Sequence, residues 1–264
     1  GSFCGLFLIP GWDEVLGLPR PERMVRLQDP ATQRWMLERA GSPEAGVFKR
    51  LADFANYVIG DTFSAGNEGL KGRVVGEVAA ERGADPFAAL IDIVVADDLR
   101  TVLWPIPPDG DDASWELRRQ VWDDPRALLG GSDAGAHLDR MCGAPYTTRF
   151  LGDMIRGRRL VPVERAVELI TDAPARLFGL RQRGRITEGW QADLAVFDPA
   201  TVGAEHASLV HDLPGATPRL TAASNGVVRV LVNGQVTVAD GVATGACPGH
   251  VLRSGRDTET VPTP

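Results

Sequence analysis

Hydrophobic positions repeat with a helical period in the first part of the chain. Residues 11–40 follow this period and predict helices, with Gly41 at the end of the last one. Residues 54–60 form a short apolar run between polar neighbours, which favours a strand. Asp85 is a good N-cap for a further helix that ends near Asp97 and has apolar residues on one face. The first hundred residues are therefore predicted to be mainly helical.

The middle of the chain alternates between predicted strands and helices. Residues 101–104 and 127–131 are apolar runs typical of buried strands. Residues 114–122 and 147–157 have the pattern of helices. Strands that alternate with helices favour a parallel sheet, so we predict one here.

The pattern changes to a period of two near the end of the chain. Pro162 opens a last helical stretch, and residues 192–198 then alternate as a strand does. Residues 227–232 and 235–238 flank an Asn-Gly pair, which is the strongest local signal for a β-hairpin. We therefore predict a small antiparallel β module at this end.

Composition narrows the classes of function. The 264 residues are 44% hydrophobic and 24% charged, which predicts a globular chain. Twenty-eight basic and 35 acidic residues give a net charge of −7, which disfavours binding to nucleic acid or to an anionic membrane. No apolar run approaches the ~20 residues of a membrane span, so we expect a cytoplasmic protein that acts on small molecules. The three cysteines have no metal-site spacing and are expected to be reduced.

Asp133 is the candidate catalytic residue. It follows Gly130, Gly131 and Ser132 at the end of the predicted strand 127–131. An acid at this position either caps the next turn through backbone N–H groups or points into the mouth of an α/β barrel, where such enzymes build their sites. The residues alone leave both interpretations open.

Five motifs resemble the amidohydrolase superfamily, and within it the N-acyl-D-amino-acid deacylase (D-aminoacylase) group. They are residues 131–137 (GSDAGAH), 144–148 (APYTT), 171–180 (TDAPARLFGL), 184–189 (GRITEG) and 192–198 (ADLAVFD). The resemblance runs from about Trp12 to Arg253 and is most specific in the first two motifs.

The resemblance implies an α/β fold. Residues 1–185 would be the C-terminal part of a metal-dependent (β/α)8 barrel with a helical insertion. Residues 186–264 would be a small antiparallel β-sandwich module. The chain would then correspond to the C-terminal half of the family.

The resemblance also implies a reaction and a Zn²⁺ cofactor. Asp133 would be both a metal ligand and the general base, taking a proton from metal-bound water and returning it to the departing amide nitrogen. Ser132, His137 and Tyr146 would contact the substrate, an acylated amino acid. The family pattern P-R-x-x-G-T-F-P-R is replaced here by residues 143–149 (GAPYTTR), which leaves the substrate open.

The remaining metal ligands of the family have no counterpart in this sequence. His206, His211 and His250 lie in the β module or its loops and are expected to be surface residues. The implied partner is a missing N-terminal half or a second copy of the chain. Two alternatives remain: a hydrolase of another amide, such as a cyclic imide or dipeptide, and a noncatalytic half-barrel that self-associates. The arginines of residues 156–159 and 181–185 could attract an acidic substrate, but solvated helix ends explain them more simply.

Overall fold

The computed structural model describes residues 6–106, 110–139 and 141–261. The chain forms two compact units. Of the described residues, the first unit contains those up to 106 and residues 208–219, and the second contains those between 110 and 207 and from 220 onward. These units do not follow the predicted division after residue 185, which concerns the family's barrel and β module and stays a prediction.

The first unit is mainly helical, as the apolar period predicts. Its α-helices are α1 (Asp13–Leu16), α2 (Arg20–Gln28), α3 (Pro30–Gly41), α4 (Val75–Arg82) and α5 (Pro86–Ala96). Short 3-10 helices cover Leu6–Leu8, Pro43–Ala52, Phe54–Asn56 and Ala65–Asn67. The predicted cap of α5 is confirmed, because the Asp85 carboxylate accepts hydrogen bonds from the N–H groups of Phe87 and Ala88.

Aromatic rings form the centre of the first unit. The ring of Trp12 lies 5.9 Å from that of Phe54 and 5.7 Å from that of Phe87. The Trp12 Nε1–H donates to the carbonyl of Met36 at 2.9 Å. Trp12 is fully buried, so its ring is packed and its one polar atom is satisfied.

The parallel sheet predicted from the middle of the chain is wrong. Strand β1 (Tyr57–Ile59) pairs antiparallel with β2 (Leu103–Pro105) in a two-stranded sheet. The connection between them carries the two helices α4 and α5, whereas a parallel pair is usually joined by one crossover helix. The strand predicted at 101–104 thus exists, displaced by one or two residues.

The second unit contains four helices and a four-stranded antiparallel sheet. The helices are α6 (Asp112–Asp123), α7 (Tyr146–Ile155), α8 (Val163–Ile170) and α9 (Asp172–Leu177). The sheet has the order β10-β9-β8-β3, built from β3 (Leu194–Phe197), β8 (Val227–Val232), β9 (Gln235–Ala239) and β10 (Val242–Ala243). A two-stranded sheet in this unit pairs β4 (Gly203–Ala204) with β7 (Ser224–Asn225). Strand β5 (Ser208–Leu213), which belongs to the first unit, pairs with β6 (Thr217–Thr221), whose residues 217–219 also belong to that unit.

The predicted hairpin at the end of the chain is confirmed. Strands β8 and β9 pair with Val232 opposite Gln235. Asn233 and Gly234 form the turn with φ of 49° and 79°, the left-handed values that an Asn-Gly turn requires. The antiparallel β module therefore exists as a sheet.

The buried strand predicted at residues 127–131 is wrong. Residues 124–139 and 141–145 contain neither helix nor strand in the structure, and Leu128 and Leu129 are only half-buried. A strand needs a neighbouring backbone to complete its hydrogen bonds, and no described segment forms a ladder with these residues. An apolar run without a partner strand stays irregular.

None of the helices in the described ranges is long and apolar enough to cross a bilayer.

Candidate functional site

Ser132, Asp133 and His137 lie in the loop that connects α6 to α7. Asp133 and His137 are exposed, and Ser132 is half-buried. Asp133 and His137 both have left-handed backbone conformations, with φ of 51° and 46°, which few residues other than glycine adopt. The loop therefore turns sharply twice within five residues.

Local hydrogen bonds shape this loop. The N–H of Ala134 donates to the Ser132 Oγ at 3.1 Å, and the N–H of Ala136 donates to the carbonyl of Asp133 at 3.1 Å. Among the described residues, no N–H group donates to the Asp133 carboxylate. The carboxylate is thus exposed and uncapped within the part of the chain that the structure describes.

Two contacts hold the loop in place within the second unit. The carbonyl of Leu138 accepts a hydrogen bond from the N–H of Leu220 at 2.8 Å. Gly143 lies so close to Ser132 that a Cβ atom on Gly143 would overlap the Ser132 carbonyl oxygen. Only glycine fits at this approach, so the position of Ser132 depends on Gly143.

Tyr146 lines a cavity of about 800 Å³ in the second unit. Cys142 and Gly143 contribute to the same wall, so the cavity lies beside the Ser132 backbone. Asp133 and His137 do not line it. The structure therefore brings Tyr146 and the backbone of Ser132 near one cavity, while Asp133 and His137 lie on the exposed part of the loop.

The opposite part of this cavity is aromatic. Trp115 and Trp122 of α6 have ring centroids 6.4 Å apart, and Phe150 meets Trp122 edge to face at 5.4 Å. Sequence reasoning did not select these residues. The signal was present, because Trp115 and Trp122 are seven residues apart and so lie on the same face of a helix.

Arginine side chains add positive charge to the cavity. Its lining contains four arginines and one aspartate. Arg158 forms an ion pair with Asp153 at 2.6 Å. The guanidinium carbons of Arg118 and Arg158 lie 4.5 and 4.1 Å from the centre of a Trp115 ring, as in cation–π contacts.

Two further arginines in the lining form no ion pair among the described residues. The guanidinium of Arg156 donates to the carbonyls of Pro199, at 2.6 Å, and Val202. These neutral partners fix its position, and the Asp198 carboxylate lies near enough to interact with its charge. Arg149 is exposed at the cavity. Arg156 and Arg158 follow the end of α7 and are exposed, as expected, and both also line the cavity.

The described residues do not form a metal centre. They contain no group of three or more His, Cys, Asp or Glu side chains that could hold an ion. His206, His211 and His250 are exposed, as expected. Zinc sites draw three or four protein ligands together, so Asp133 as the predicted ligand of Zn²⁺ lacks the companions that it would need within the described chain.

Comparison with known proteins identifies the family. A model described as "Amidohydrolase family" matches residues 40–238. D-aminoacylase of Alcaligenes xylosoxydans xylosoxydans is 34% identical over 185 residues, which are 69% of this chain and 34% of the relative. N-acyl-D-aspartate deacylase of the same organism is 32% identical over 232 residues, 85% of this chain and 42% of the relative.

Solved structures give a partial match. N-acyl-D-glutamate deacylase from Bordetella bronchiseptica, complexed with zinc and a phosphonate inhibitor, is 29% identical, with a TM-score of 0.38 over 73% of this chain and 37% of that one. The chain spans about two fifths or less of the length of these relatives. Because one family model matches most of its residues, the chain belongs to the amidohydrolase family.

Proposed function

We propose that this chain is part of an enzyme that hydrolyses the amide bond of N-acyl-D-amino acids. The similarity to relatives named D-aminoacylase, N-acyl-D-aspartate deacylase and N-acyl-D-glutamate deacylase supports the reaction. These names differ in the amino acid, so the proposal covers the class of substrate and not one member. The complete enzyme would have the (β/α)8 barrel and β-sandwich that the resemblance implies, in the cytoplasm.

Asp133 acts as the general base in this proposal. Its carboxylate takes a proton from water while the water oxygen forms a bond to the amide carbonyl carbon. The same proton then goes to the amide nitrogen as the C–N bond breaks, which releases a carboxylic acid and an amine. The exposed Asp133 side chain, on a loop fixed by Gly143, supports this role.

Three neighbours would bind the substrate. Tyr146 lines the cavity, and Ser132 adjoins its wall through Gly143. His137, four residues after Asp133, is exposed on the same loop and would contact the substrate. These assignments follow the motif, and the structure supports Tyr146 most directly.

The Zn²⁺ ligands other than Asp133 would come from outside these 264 residues. The described residues form no metal centre, and the relatives are more than twice as long as the part that matches. We propose that a preceding segment of the natural product supplies them, with a second copy of the chain as the other source.

The test uses the natural gene product purified from its host. Mass spectrometry would establish whether peptides precede Gly1, and metal analysis would give the zinc content. Release of free amino acid would then be measured with N-acetyl-D-amino acids, their L-enantiomers, a dipeptide and a cyclic imide. We expect preceding peptides, about one zinc per chain and hydrolysis of the D-series.

Two variants assign the role of Asp133. Asp133→Asn is expected to reduce the rate by at least about 100-fold, because the amide cannot accept the proton. Asp92→Asn, at an exposed aspartate of α5, is the matched control and should keep full activity. Full activity of Asp133→Asn, or absence of hydrolysis by a zinc-containing native product, would contradict the proposal.

A further inference from the structure

We propose that the cavity lined by Trp115, Trp122, Phe150 and Arg149 binds a small molecule that joins an apolar group, preferably aromatic, to a carboxylate. This inference goes beyond the proposed function, because Asp133, the proposed general base, does not line the cavity. The binding itself depends only on the cavity.

The size and walls of the cavity suit a small organic molecule. Its volume of about 800 Å³ lies in the range of ligand sites, which are mostly apolar with a few polar groups. The rings of Trp115, Trp122 and Phe150 form one apolar wall. Trp122 is almost fully buried and packs in the core of the second unit, so this wall is held by the fold.

The charge of the cavity selects an anion. Four arginines and one aspartate line it, although the chain as a whole has a charge of −7. Arg158 is paired with Asp153, and Arg156 is held by neutral carbonyl groups. Arg149 is exposed, and its guanidinium has no ion-pair or hydrogen-bond partner among the described residues. A planar guanidinium in this state is suited to bind a carboxylate through two hydrogen bonds.

The Trp115 ring holds two of the guanidinium groups at the cavity. The guanidinium carbons of Arg118 and Arg158 lie 4.5 and 4.1 Å from the centre of a Trp115 ring. The aromatic wall therefore keeps positive charge beside its apolar surface. The Nε1 of Trp115 is buried and takes no part in the proposed binding.

The test is calorimetric titration of the full chain with 3-phenylpropionate. Its uncharged amide, 3-phenylpropanamide, has nearly the same shape and is the comparison ligand. We expect the carboxylate to bind about tenfold more tightly than the amide, because a charged hydrogen bond is about twice as strong as a neutral one. The advantage of the carboxylate should shrink as ionic strength rises.

Variants locate the ligand in this cavity. Arg149→Gln should weaken the binding of the carboxylate about tenfold and remove its advantage over the amide. Trp115→Ala removes a ring from the apolar wall and should weaken both ligands several-fold. Arg34→Gln, at an exposed arginine of α3, is the matched control and should change nothing. Circular dichroism would verify that each variant is folded.

The outcomes separate this inference from the proposed function. The inference would be overturned if 3-phenylpropionate did not bind at a concentration of about 10 mM, beyond which only very weak sites bind. Equal binding of both ligands, or an unchanged affinity for the carboxylate in folded Arg149→Gln, would also overturn it. Neither ligand needs to be hydrolysed, so binding can be confirmed when deacylase activity fails. Conversely, hydrolysis of N-acetyl-D-amino acids by the native product, without binding of 3-phenylpropionate, would overturn only the proposal that the cavity binds a carboxylate.

Discussion

The first unit and the loop between α6 and α7 contrast in how they are held. Trp12, Phe54 and Phe87 pack with their ring centroids 4.5 to 5.9 Å apart in a fully apolar centre. The loop, in contrast, exposes the candidate residues Asp133 and His137, and its described positions form neither helix nor strand. Its position depends on single contacts, such as the close approach of Gly143 to Ser132.

This contrast shows where stability and candidate chemistry lie in the chain. A packed apolar cluster gains from many contacts at once, so removing any member costs much. A loop with few contacts can be displaced by one substitution at little cost in stability. The substitutions below test this difference from the largest expected effect to the smallest.

Trp12→Ala should have the largest effect. The substitution leaves a cavity among Phe54 and Phe87 and removes the donor of the Met36 carbonyl, so we expect the free energy of unfolding to fall by about 3–5 kcal/mol. Urea denaturation followed by circular dichroism measures it. Trp190→Ala, at an exposed tryptophan, is the matched control and should cost about 1 kcal/mol or less. Equal losses would disprove the proposed importance of the aromatic cluster.

Asp97→Asn tests the polar part of the same unit. The buried Asp97 carboxylate accepts hydrogen bonds from the Asn67 and Thr101 side chains and from the N–H groups of Phe63 and Ser64. Hydrogen bonds to a charged acceptor are the stronger ones, so we expect a loss of about 2 kcal/mol at pH 7.

The pH dependence of unfolding sharpens this test. Burial acts to raise the pKa of Asp97, but the hydrogen bonds outweigh it and hold the pKa below its ordinary value of 3.8. The unfolded state therefore binds the proton first, and the stabilisation is complete above the ordinary pKa and lost as the pH falls through the lower, folded-state pKa. In Asp97→Asn, the free energy of unfolding should decrease less steeply as the pH falls below 3.8. In Asp92→Asn, it should decrease as steeply as in the unchanged protein. An unchanged slope in Asp97→Asn would contradict the assignment.

The sequence predicted the first unit well because its signals are local. Asp85 caps α5 and the apolar period of residues 11–40 corresponds to three helices, features that need only neighbours along the chain. The Asn233-Gly234 hairpin is confirmed for the same reason. The strand at 127–131 and the parallel sheet required a partner strand, which a local pattern cannot supply, and both predictions were wrong.

The candidate site was predicted only through its motif. The motif placed Ser132, Asp133 and His137 on one loop and Tyr146 beside it, and the structure describes them so. The cavity beside Tyr146 could not be foreseen, because its walls come from α6, α7 and residues 203–204, far apart in sequence. Arg156 and Arg158 line the cavity only because the fold brings these elements together.

Gly143→Ala should have the smallest effect on stability and a clear effect on the loop. The new Cβ would overlap the Ser132 carbonyl oxygen, so residues 131–135 must move away at a cost of about 1–2 kcal/mol. Gly130→Ala is the matched control, because no atom lies within 4 Å of a Cβ at that position. Limited proteolysis would show faster cleavage between residues 130 and 140 in Gly143→Ala only. Equal cleavage of the two variants would mean that the loop is held by the hydrogen bond from Leu220 to Leu138 instead, and the contrast with the first unit would then rest on the missing partner strand alone.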